Sequence, residues 1–379
     1  MKSRSREELC LDGPRLVRPE ELDELGDLMT ISFGGALRPR HGRRRRRPRW
    51  MVRSGAWVVA RDGRLVSHIR IVYNTISLYG CRVKIASIGG VCTHPDYRGQ
   101  GIATILLDHC ITESARASAS LLLISGGRGI YRRAHAVDAS PTLEARLTPT
   151  SIEPTSPPLT ARRGTAEDWF ACASLYQSEP VRFVRRADFF RQAFEHRHRE
   201  TWVIDSNGSP AAYVALSRHW GTSPEDRRRV VAEYAGSRAA LADGLPALFE
   251  AGGYEQIEFA VPTHDRELAG IFARQGLGLR PGTLEDHTIR LLDVHSLMRR
   301  LGPYVAARLP RSQARRLSFL QEEDGCIFRL GDEKVKLSLA KSAALVLGGP
   351  KAPKVPGELG RVLASLFPVP FPMPGMNYV

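Results

Sequence analysis

The chain lacks the features that mark disulfide-rich, zinc-binding and membrane-spanning proteins. Its six cysteines are scattered along 379 residues and form no C-x-x-C pair, which argues against a disulfide framework and a cysteine-based zinc site. His196 and His198 have no third ligand nearby in the sequence, so we expect surface histidines there. No stretch approaches the roughly 18 uncharged apolar residues of a spanning helix, and the charged start lacks the apolar segment of a secretory signal. We expect a cytoplasmic protein with reduced thiols, no metal ion and no membrane span.

Lysine is scarce, and arginine supplies most of the positive charge. Only seven of the 55 basic residues are lysine, and with 40 acidic residues the formal net charge is +15. A general preference for arginine codons would give this ratio without any ligand, but so basic a chain attracts polyanions at low ionic strength. The run Arg43–Arg47 is the densest charge. A solvated loop is its simplest interpretation, and an anion contact is the functional one.

The rest of the composition indicates a folded protein of several domains. The sequence is 42% hydrophobic and 25% charged, near the globular average, and its length suits two or three domains. Proline, serine and threonine accumulate around residues 140–160, where we place a boundary. The elements after it repeat the order before it, which favours an internal duplication. We expect domains at 1–150, 151–290 and 291–379.

The first segment alternates helices and strands. Apolar spacing predicts a helix over 20–33, and alternating β-formers predict an antiparallel meander over 56–91. A helix over 101–117 and a buried strand over 121–125 follow. This order predicts an α/β (α+β) fold with mixed, mostly antiparallel sheets.

The other two segments contain similar patterns. In the middle segment we expect strands at 201–205, 211–217, 229–235 and 256–261, with helices at 165–177, 187–195, 238–251 and 265–275. In the last we expect a helix at 294–309, strands at 317–320, 326–330 and 335–339, and a helix at 357–366. The proline-rich end cannot be a helix or a central strand because proline lacks the N–H donor, so it should run extended over the surface or into a cleft.

The most informative stretch joins a strand to a helix near residue 100. Pro95 ends the strand, and Arg98-Gly-Gln-Gly-Ile-Ala103 turns into a helix N-terminus. Gly99 and Gly101 permit backbone angles and close approaches that a Cβ would block. Successive N–H groups at the start of a helix point outward with the positive end of the dipole behind them, which suits a diphosphate. The loop is neither a P-loop nor a dinucleotide fingerprint, because no Gly-Lys-Ser/Thr follows and the preceding strands are antiparallel.

This pattern, in its context of helix, meander, strand, loop, helix and strand, resembles the acetyl-CoA loop of the GNAT superfamily of N-acetyltransferases. The resemblance implies acetyl-CoA as co-substrate and transfer of acetyl to an amine. Arg98 would either add a charge-assisted contact or only brace the loop. The resemblance further implies that the backbone of Val91, Cys92 and Thr93 contacts the pantetheine and the thioester. It implies that the pyrophosphate is bound by the amides of Gly99, Gln100, Gly101, Ile102, Ala103 and Thr104. It also implies that the strand end at Ser125 and Gly126 splays from its neighbour and admits the cofactor arm.

The length and domain order further resemble the enhanced intracellular survival (Eis-type) acetyltransferases. These combine an acetyltransferase domain, a degenerate second copy and a C-terminal α/β domain like sterol carrier proteins. The resemblance implies that Tyr131, just after the Gly-rich break, protonates the leaving thiolate and that the terminal carboxylate of Val379 is the general base. It also implies a homo-oligomer, with a ring-like hexamer among the forms. The middle segment lacks the loop pattern before 238–251, so it should not bind acetyl-CoA.

Elementary chemistry is consistent with these two roles. An amine must lose a proton to attack a thioester, and the thiolate must gain one to leave. A free α-carboxyl titrates near ~3.5, but burial raises its pKa and a water can relay the proton. The end of the chain, Phe371 to Val379, is apolar and stiffened by proline, which independently suggests docking. The alternatives are a packed aromatic at Tyr131 and a merely docked terminus at Val379.

The acceptor is not fixed by these patterns. Related enzymes that act on polycations use acidic residues around the first helices, whereas here the arginine run follows Gly34–Leu37. This disfavours a multiply cationic amine, such as an aminoglycoside or polyamine. Trp50, Met51 and Trp57 could line the acceptor pocket or belong to the core. We expect a small-molecule or peptide amine.

Two alternatives stay open. The first is a polyanion- or nucleic-acid-binding protein on the same scaffold, which Arg43–Arg47 supports. The run lacks interleaved aromatics and no reader motif appears, so we do not expect nucleic acid as the partner. The second keeps the enzyme but gives it a longer acyl donor, or a lipid bound in the C-terminal domain.

Overall fold

Three β-sheets with helices on their faces make up the described part of the protein. The computed structural model describes residues 10–33, 55–153, 159–194, 200–218, 223, 225–284 and 286–377. The strands are β1 (Asp12–Leu16), β2 (Ala56–Arg61), β3 (Arg64–Leu78), β4 (Cys81–Thr93), β5 (Leu121–Ser125), β6 (Pro141–Leu147), β7 (Thr160–Arg163), β8 (Val181–Phe183), β9 (Glu200–Ser206), β10 (Ser209–Ser217), β11 (Arg228–Gly236), β12 (Gln256–Pro262), β13 (Arg280–Thr283), β14 (His287–Leu291), β15 (Leu317–Gln321), β16 (Gly325–Leu330) and β17 (Glu333–Ser338). The α-helices are α1 (Leu22–Phe33), α2 (Ile102–Arg116), α3 (Gly129–Arg133), α4 (Trp169–Gln177), α5 (Ala187–Phe194), α6 (Arg238–Asp243), α7 (Leu245–Gly252), α8 (Arg266–Arg274), α9 (Val294–Arg300), α10 (Gly302–Ala306), α11 (Arg311–Arg316), α12 (Leu339–Leu347) and α13 (Gly357–Leu366).

The first sheet has the strand order β1-β2-β3-β4-β5-β14, and β8 pairs with the far end of β3. Its neighbours are antiparallel except for β4 and β5, which run parallel. The helix predicted over 20–33, the meander, the helix over 101–117 and the strand over 121–125 are confirmed within one or two residues at most ends. α2 covers one face of this sheet, where Ile102, Leu106 and Cys110 pack on Ile69 and Ile88.

The second sheet repeats this arrangement. Its order is β13-β6-β12-β11-β10-β9-β7, and β11 and β12 form its parallel pair. The strands β7, β9, β10, β11 and β12 therefore correspond to β1 through β5 of the first sheet. The shared order and the single parallel pair at the same position support the internal duplication.

The two sheets exchange one strand each. β6 follows β5 along the chain but pairs with β12, and β14 follows β13 but pairs with β5. Sheet membership therefore does not follow the boundaries expected at 150 and 290, because residues 141–147 lie in the second sheet and residues 287–291 in the first. The division into three domains stays a prediction.

The last segment forms the three-stranded antiparallel sheet β15-β16-β17 with helices around it. Its core is continuous with the hairpin end of the first sheet, where Ile76 and Val83 belong to the same cluster as Phe328 and Leu363. The proline-rich end is neither helix nor strand, as predicted, and it is buried: Phe371 is 1% exposed. The likeness of this segment to sterol carrier proteins stays a prediction.

The predicted strand over 335–339 is confirmed as β17 within two residues, and Leu339 already belongs to α12, an apolar helix capped by the Ser338 hydroxyl. Residues 141–147, inside the stretch where we place a boundary, form β6, because proline is tolerated at the first position of a strand and Ala145 and Leu147 alternate into the core. Two predictions of local structure were wrong. The helices expected over 238–251 and 294–309 are each interrupted, after Asp243 and after Arg300. In both, a proline at the second position of the next helix starts a helix but cannot continue one.

Candidate active site

A split in the first sheet opens the edge of β4. β4 and β5 pair in parallel from Ile85 with Leu121 up to Ile88 with Ile124. Beyond this point β4 continues to Thr93, whereas β5 ends at Ser125. Main-chain groups on this edge of β4 are therefore not used by pairing to β5 in the described part of the chain, and they face the split.

A bulge in β4 lies directly at the split. The register between β3 and β4 shifts so that Arg70 pairs with Gly89 but His68 pairs with Cys92. Gly90 has φ +60°, which favours glycine, and an added Cβ would lie 3.3 Å from the His68 ring. His68 is 2% exposed, and its Nδ1 donates to the Gly90 carbonyl oxygen at 2.9 Å. Neither residue is predicted from the sequence, although two glycines inside a strand are a bulge signal.

The glycine loop leads from β4 into α2. Gly99 and Gly101 have φ +76° and +86°, values that a residue with a Cβ rarely adopts. Gly101 is the N-cap of α2 and has no side chain to occupy the first amides of the helix. An added Cβ at Gly99 would meet nothing within 4 Å, so the loop borders open space. The Thr104 amide donates to the Gly101 carbonyl at 2.9 Å, whereas the N–H groups from Gly99 to Ala103 are available to an anion.

Side chains of the loop brace it from outside. Arg98 Nε donates to the Thr93 carbonyl at 3.1 Å, which matches the bracing alternative for this residue. Gln100 Oε1 accepts from Arg61 at 2.7 Å, and its amide nitrogen donates to the Asp96 carbonyl at 3.4 Å. These contacts hold the loop between the strand end and the start of the helix.

A cavity of about 960 Å³ joins the split, the loop and α3. Ten of the predicted cofactor-binding residues line it, and Arg128 and Arg133 add positive charge. The ten are Val91, Cys92, Thr93, Arg98, Gly99, Gln100, Gly101, Ile102, Ala103 and Thr104.

Ser125 and Gly126 are placed beside the cavity and do not line it. Ser125 pairs with His287 of β14, and the Gly126 amide donates to the Asp286 carbonyl at 2.6 Å. The main chain of this turn is thus hydrogen-bonded to the exchanged strand β14 and the residue before it. Sequence reasoning had no signal for this contact, because β14 is more than 160 residues away.

Tyr131 lies in α3 with its side chain 3% exposed and against the cavity. An added Cβ at Gly126 would lie 3.4 Å from its ring, and Gly126 has φ +118°. Glycine is therefore needed where β5 turns toward α3. The turn brings the tyrosine to the same cavity as the glycine loop.

The thiol in the cavity is not a nucleophile. Burial raises the pKa of Cys92 to about 11, so it stays protonated at neutral pH. Its carbonyl accepts from the Ser67 hydroxyl, which also lies 3.0 Å from the Thr93 hydroxyl.

Several residues singled out from the sequence lie outside the described residues. They are Val379, Arg43–Arg47, Trp50, Met51, His196 and His198.

None of the helices in the described part is both long and apolar enough to cross a membrane. In the same part, no group of three or more His, Cys, Asp or Glu side chains is placed to hold a metal ion.

The strands β1 to β5, the split, the glycine loop and the helix after it lie between residues 12 and 125. Residues 14–135 match the family model described as an acetyltransferase (GNAT) domain. The match assigns this domain to the N-terminal third of the chain. A comparison with curated proteins gives no significant match.

Solved structures share the fold of nearly the whole chain. A GCN5-related N-acetyltransferase from Kribbella flavida is 16% identical with a TM-score of 0.66, covering 96% of this chain and 97% of that one. A GCN5-related N-acetyltransferase from Anabaena variabilis is 14% identical with a TM-score of 0.65, covering 95% and 98%. Eis1 from Mycobacterium abscessus is 16% identical with a TM-score of 0.61, covering 95% and 98%. At these identities the likeness establishes the fold.

One buried and one half-buried histidine, His68 and His264, predict a loss of stability in mild acid. Burial lowers the pKa of His68 and of His264 to about 4, against about 6.5 in an unfolded chain. Between these values the unfolded state binds up to two more protons, so the free energy of unfolding should fall as the pH falls, by up to about 2.7 kcal/mol per pH unit. Urea unfolding from pH 7 to 4 measures this slope. His68→Asn keeps an N–H donor toward Gly90 and should reduce this slope by the contribution of one proton. An unchanged slope would contradict the lowered pKa of His68.

Proposed function

We propose that this protein is an acetyl-CoA-dependent N-acetyltransferase that transfers acetyl to a primary amine of a small molecule or peptide. The observation that carries the proposal is the single cavity into which the glycine loop, the open edge of β4 and Tyr131 all face. The GNAT domain supplies the class of reaction. The acceptor and the cofactor dependence are the parts that experiment must establish.

The residues of the cavity fit acetyl-CoA. Its volume of about 960 Å³ is at the upper end of small-molecule sites, as an extended nucleotide thioester requires. The amides from Gly99 to Ala103 suit the pyrophosphate, and the guanidinium of Arg128 or Arg133 suits a further phosphate. The edge of β4 can hold the peptide-like pantetheine by main-chain hydrogen bonds, as an added strand would.

The chemistry assigns a role to each side of the split. Bound acetyl-CoA supplies an activated acetyl group. N–H groups on the open edge of β4 stabilise the negative charge that develops on the thioester oxygen. The Tyr131 hydroxyl gives its proton to the leaving sulfur, and the terminal carboxylate of Val379 takes the proton of the amine, directly or through a water.

The charge of the cavity bears on the acceptor. Arg98, Arg128 and Arg133 line it, and the chain has a net charge of +15. A multiply cationic amine would approach against this field, whereas a neutral or anionic amine would be attracted. We propose an acceptor of the second kind.

Three further properties belong to the proposal. The described cysteines are free and five of the six are buried, which supports a reducing, cytoplasmic location. The α/β segment after residue 291 is proposed to be like sterol carrier proteins. We also propose a homo-oligomer, which light scattering of the purified protein would test.

Acetyl-CoA consumption against a panel of amines tests the function. The panel contains anionic, neutral and polycationic acceptors, and release of free coenzyme A thiol is followed. Calorimetry with acetyl-CoA is run beside a nucleic-acid shift over a salt series. We expect acetyl-CoA binding and turnover of a neutral or anionic amine. No acetyl-CoA binding, together with nucleic-acid binding that falls steeply with salt, would overturn the proposal.

Gly101→Ala tests the loop. A Cβ at φ +86° strains the backbone or shifts the loop, at roughly 1–2 kcal/mol, and displaces amides that should contact the pyrophosphate. We expect the Kd for acetyl-CoA to rise at least about tenfold. Gly63→Ala is the matched control, because Gly63 has φ +74°, lies in the β2–β3 hairpin and has nothing within 4 Å of an added Cβ. It should lose similar stability with unchanged affinity; equal affinities for both variants contradict the role of the loop.

A further inference from the structure

The second sheet has a split that corresponds to the first. β11 and β12 pair in parallel only from Arg228 with Gln256 to Val230 with Glu258, and β11 then continues to Gly236. In the first sheet the equivalent split opens onto a cavity of about 960 Å³. At the second split the cavity is about 40 Å³. The smaller volume means that part of the protein itself occupies the second split.

The C-terminal segment, residues 372–377, fills it. Pro372 and Met373 line the small remaining cavity together with Glu233 and Tyr234 of β11. Met373 packs on the core beneath α6, α7 and α8. Met376 is 5% exposed and packs on the core of the opposite face, with α4 and α5. The segment therefore passes from one face of the sheet to the other at the split, the path that the arm of acetyl-CoA is proposed to take through the first split.

A buried ion pair grips the segment where it emerges. Glu233 accepts from Arg185 at 2.8 and 2.5 Å and from the Tyr213 hydroxyl at 2.6 Å. Glu233 Oε2 also accepts from the Met376 amide at 3.2 Å. Arg185 Nε donates to Asn377 Oδ1 at 2.6 Å. Both members of the pair thus contact the last described turn of the chain.

The pair is held charged in the interior. The side chains of Arg185 and Glu233 are 1% and 3% exposed. Burial alone would raise the pKa of Glu233, but the charge and hydrogen bonds of Arg185 outweigh it and lower that pKa. A buried pair of this kind is weak evidence for stability but can specify one arrangement of the chain around it.

In the second sheet, side chains of the protein occupy the position that corresponds to the glycine loop of the first sheet. β11 turns directly into α6 through Gly236 and Ser237. The Gly236 amide donates to the carboxylate of Glu179 at 3.0 Å, and Arg238 binds the same carboxylate at 2.6 and 2.7 Å. A carboxylate of the protein therefore sits against this turn, which agrees with the expectation that the second copy does not bind acetyl-CoA.

We propose that the split of the second sheet is a dock for the protein's own C-terminal segment, and that Glu233 and Arg185 are positioning residues that set the terminal residues for catalysis. The degenerate copy keeps the split of its ancestor and uses it for an internal peptide. Asn377 also borders a cavity with Tyr73 and Thr75 of β3, so the dock delivers the end of the chain to the first sheet. The positioning role rests on the proposed function; the docking does not.

The test loosens the segment while both side chains of the ion pair are kept. Gly375 has φ +51°, and a Cβ there would collide with Oε2 of Glu233. In Gly375→Ala we expect hydrogen exchange of the Met376 amide to accelerate at least about tenfold. We expect kcat to fall at least about tenfold while the Kd for acetyl-CoA is unchanged. Gly208→Ala is the control, because Gly208 has φ +74°, lies in the β9–β10 hairpin of the same sheet and has nothing near an added Cβ.

A second pair of variants keeps the test independent of that glycine. Asn377→Ala removes the acceptor for Arg185 Nε and should behave like Gly375→Ala, whereas Asn377→Asp keeps an oxygen there and should retain protection and turnover. A Met376 amide unprotected in the wild type, or equally protected in every variant, overturns the dock. Faster exchange with unchanged kcat overturns the positioning role. Exchange is measured without any acceptor, so failure of the acetyltransferase proposal leaves the docking result standing.

Discussion

Tyr131→Phe is expected to lower kcat by about 100-fold or more, because removing a general acid commonly costs 10²–10⁴-fold. The leaving thiolate would then have to depart without a proton. The ring is 3% exposed and packs beside Gly126, and phenylalanine fills the same space. The Kd for acetyl-CoA should therefore stay the same, so the loss should fall on kcat and not on binding.

Tyr304→Phe provides the matched control. Tyr304 is 4% exposed, and its hydroxyl donates to the carbonyl of Leu366, the last residue of α13, at 2.9 Å. Its loss should cost about 1 kcal/mol of stability and leave kcat unchanged. Steady-state kinetics, calorimetry and urea unfolding on both variants separate the effects. If Tyr131→Phe keeps the wild-type kcat, Tyr131 is a packed aromatic and another group supplies the proton.

The site was predictable where its signals were local. The loop from Arg98 to Thr104 depends on glycine angles and on a helix start, both of which the sequence states directly. All seven of these residues line the cavity, as do the three strand residues before them. Tyr131 was singled out by the resemblance to Eis-type acetyltransferases, which implies a tyrosine just after the Gly-rich break that follows β5. Their roles in binding and catalysis stay predictions until the variants are made.

What could not be predicted depends on contacts between distant segments. Nothing in residues 141–147 or 287–291 states that these strands change places, because the alternation of apolar residues in a strand does not specify its partner strand. His68 is an alternating strand residue in the sequence, and only the bulge at Gly90 makes it a support of the split. The pairing of Arg185 with Glu233 spans 48 residues, and its contact with Asn377 spans 192. Propensity and periodicity contain no information about such pairs.

Extending the chain beyond Val379 should abolish acetyl transfer without unfolding the protein. The segment is held at Met376 and Asn377 by the ion pair of the second sheet, so only two residues lie between the anchor and the terminal carboxylate. Six added residues move that charge by up to about 20 Å along an extended chain. If the carboxylate is the general base, kcat should fall at least about 100-fold. The same six residues added before Met1 are the control for expression and oligomer state.

A terminal amide separates loss of the base from obstruction of the site. A chain ending in Val379 α-carboxamide, made by peptide ligation, has the same size as the wild type but carries no charge at its end. It should lose as much kcat as the extended chain while the Met376 amide stays protected, because the anchor is intact. An amide variant as active as the wild type, beside an inactive extended chain, assigns the loss to obstruction and removes Val379 from the mechanism. Full activity in both variants would leave the docked segment without a catalytic role.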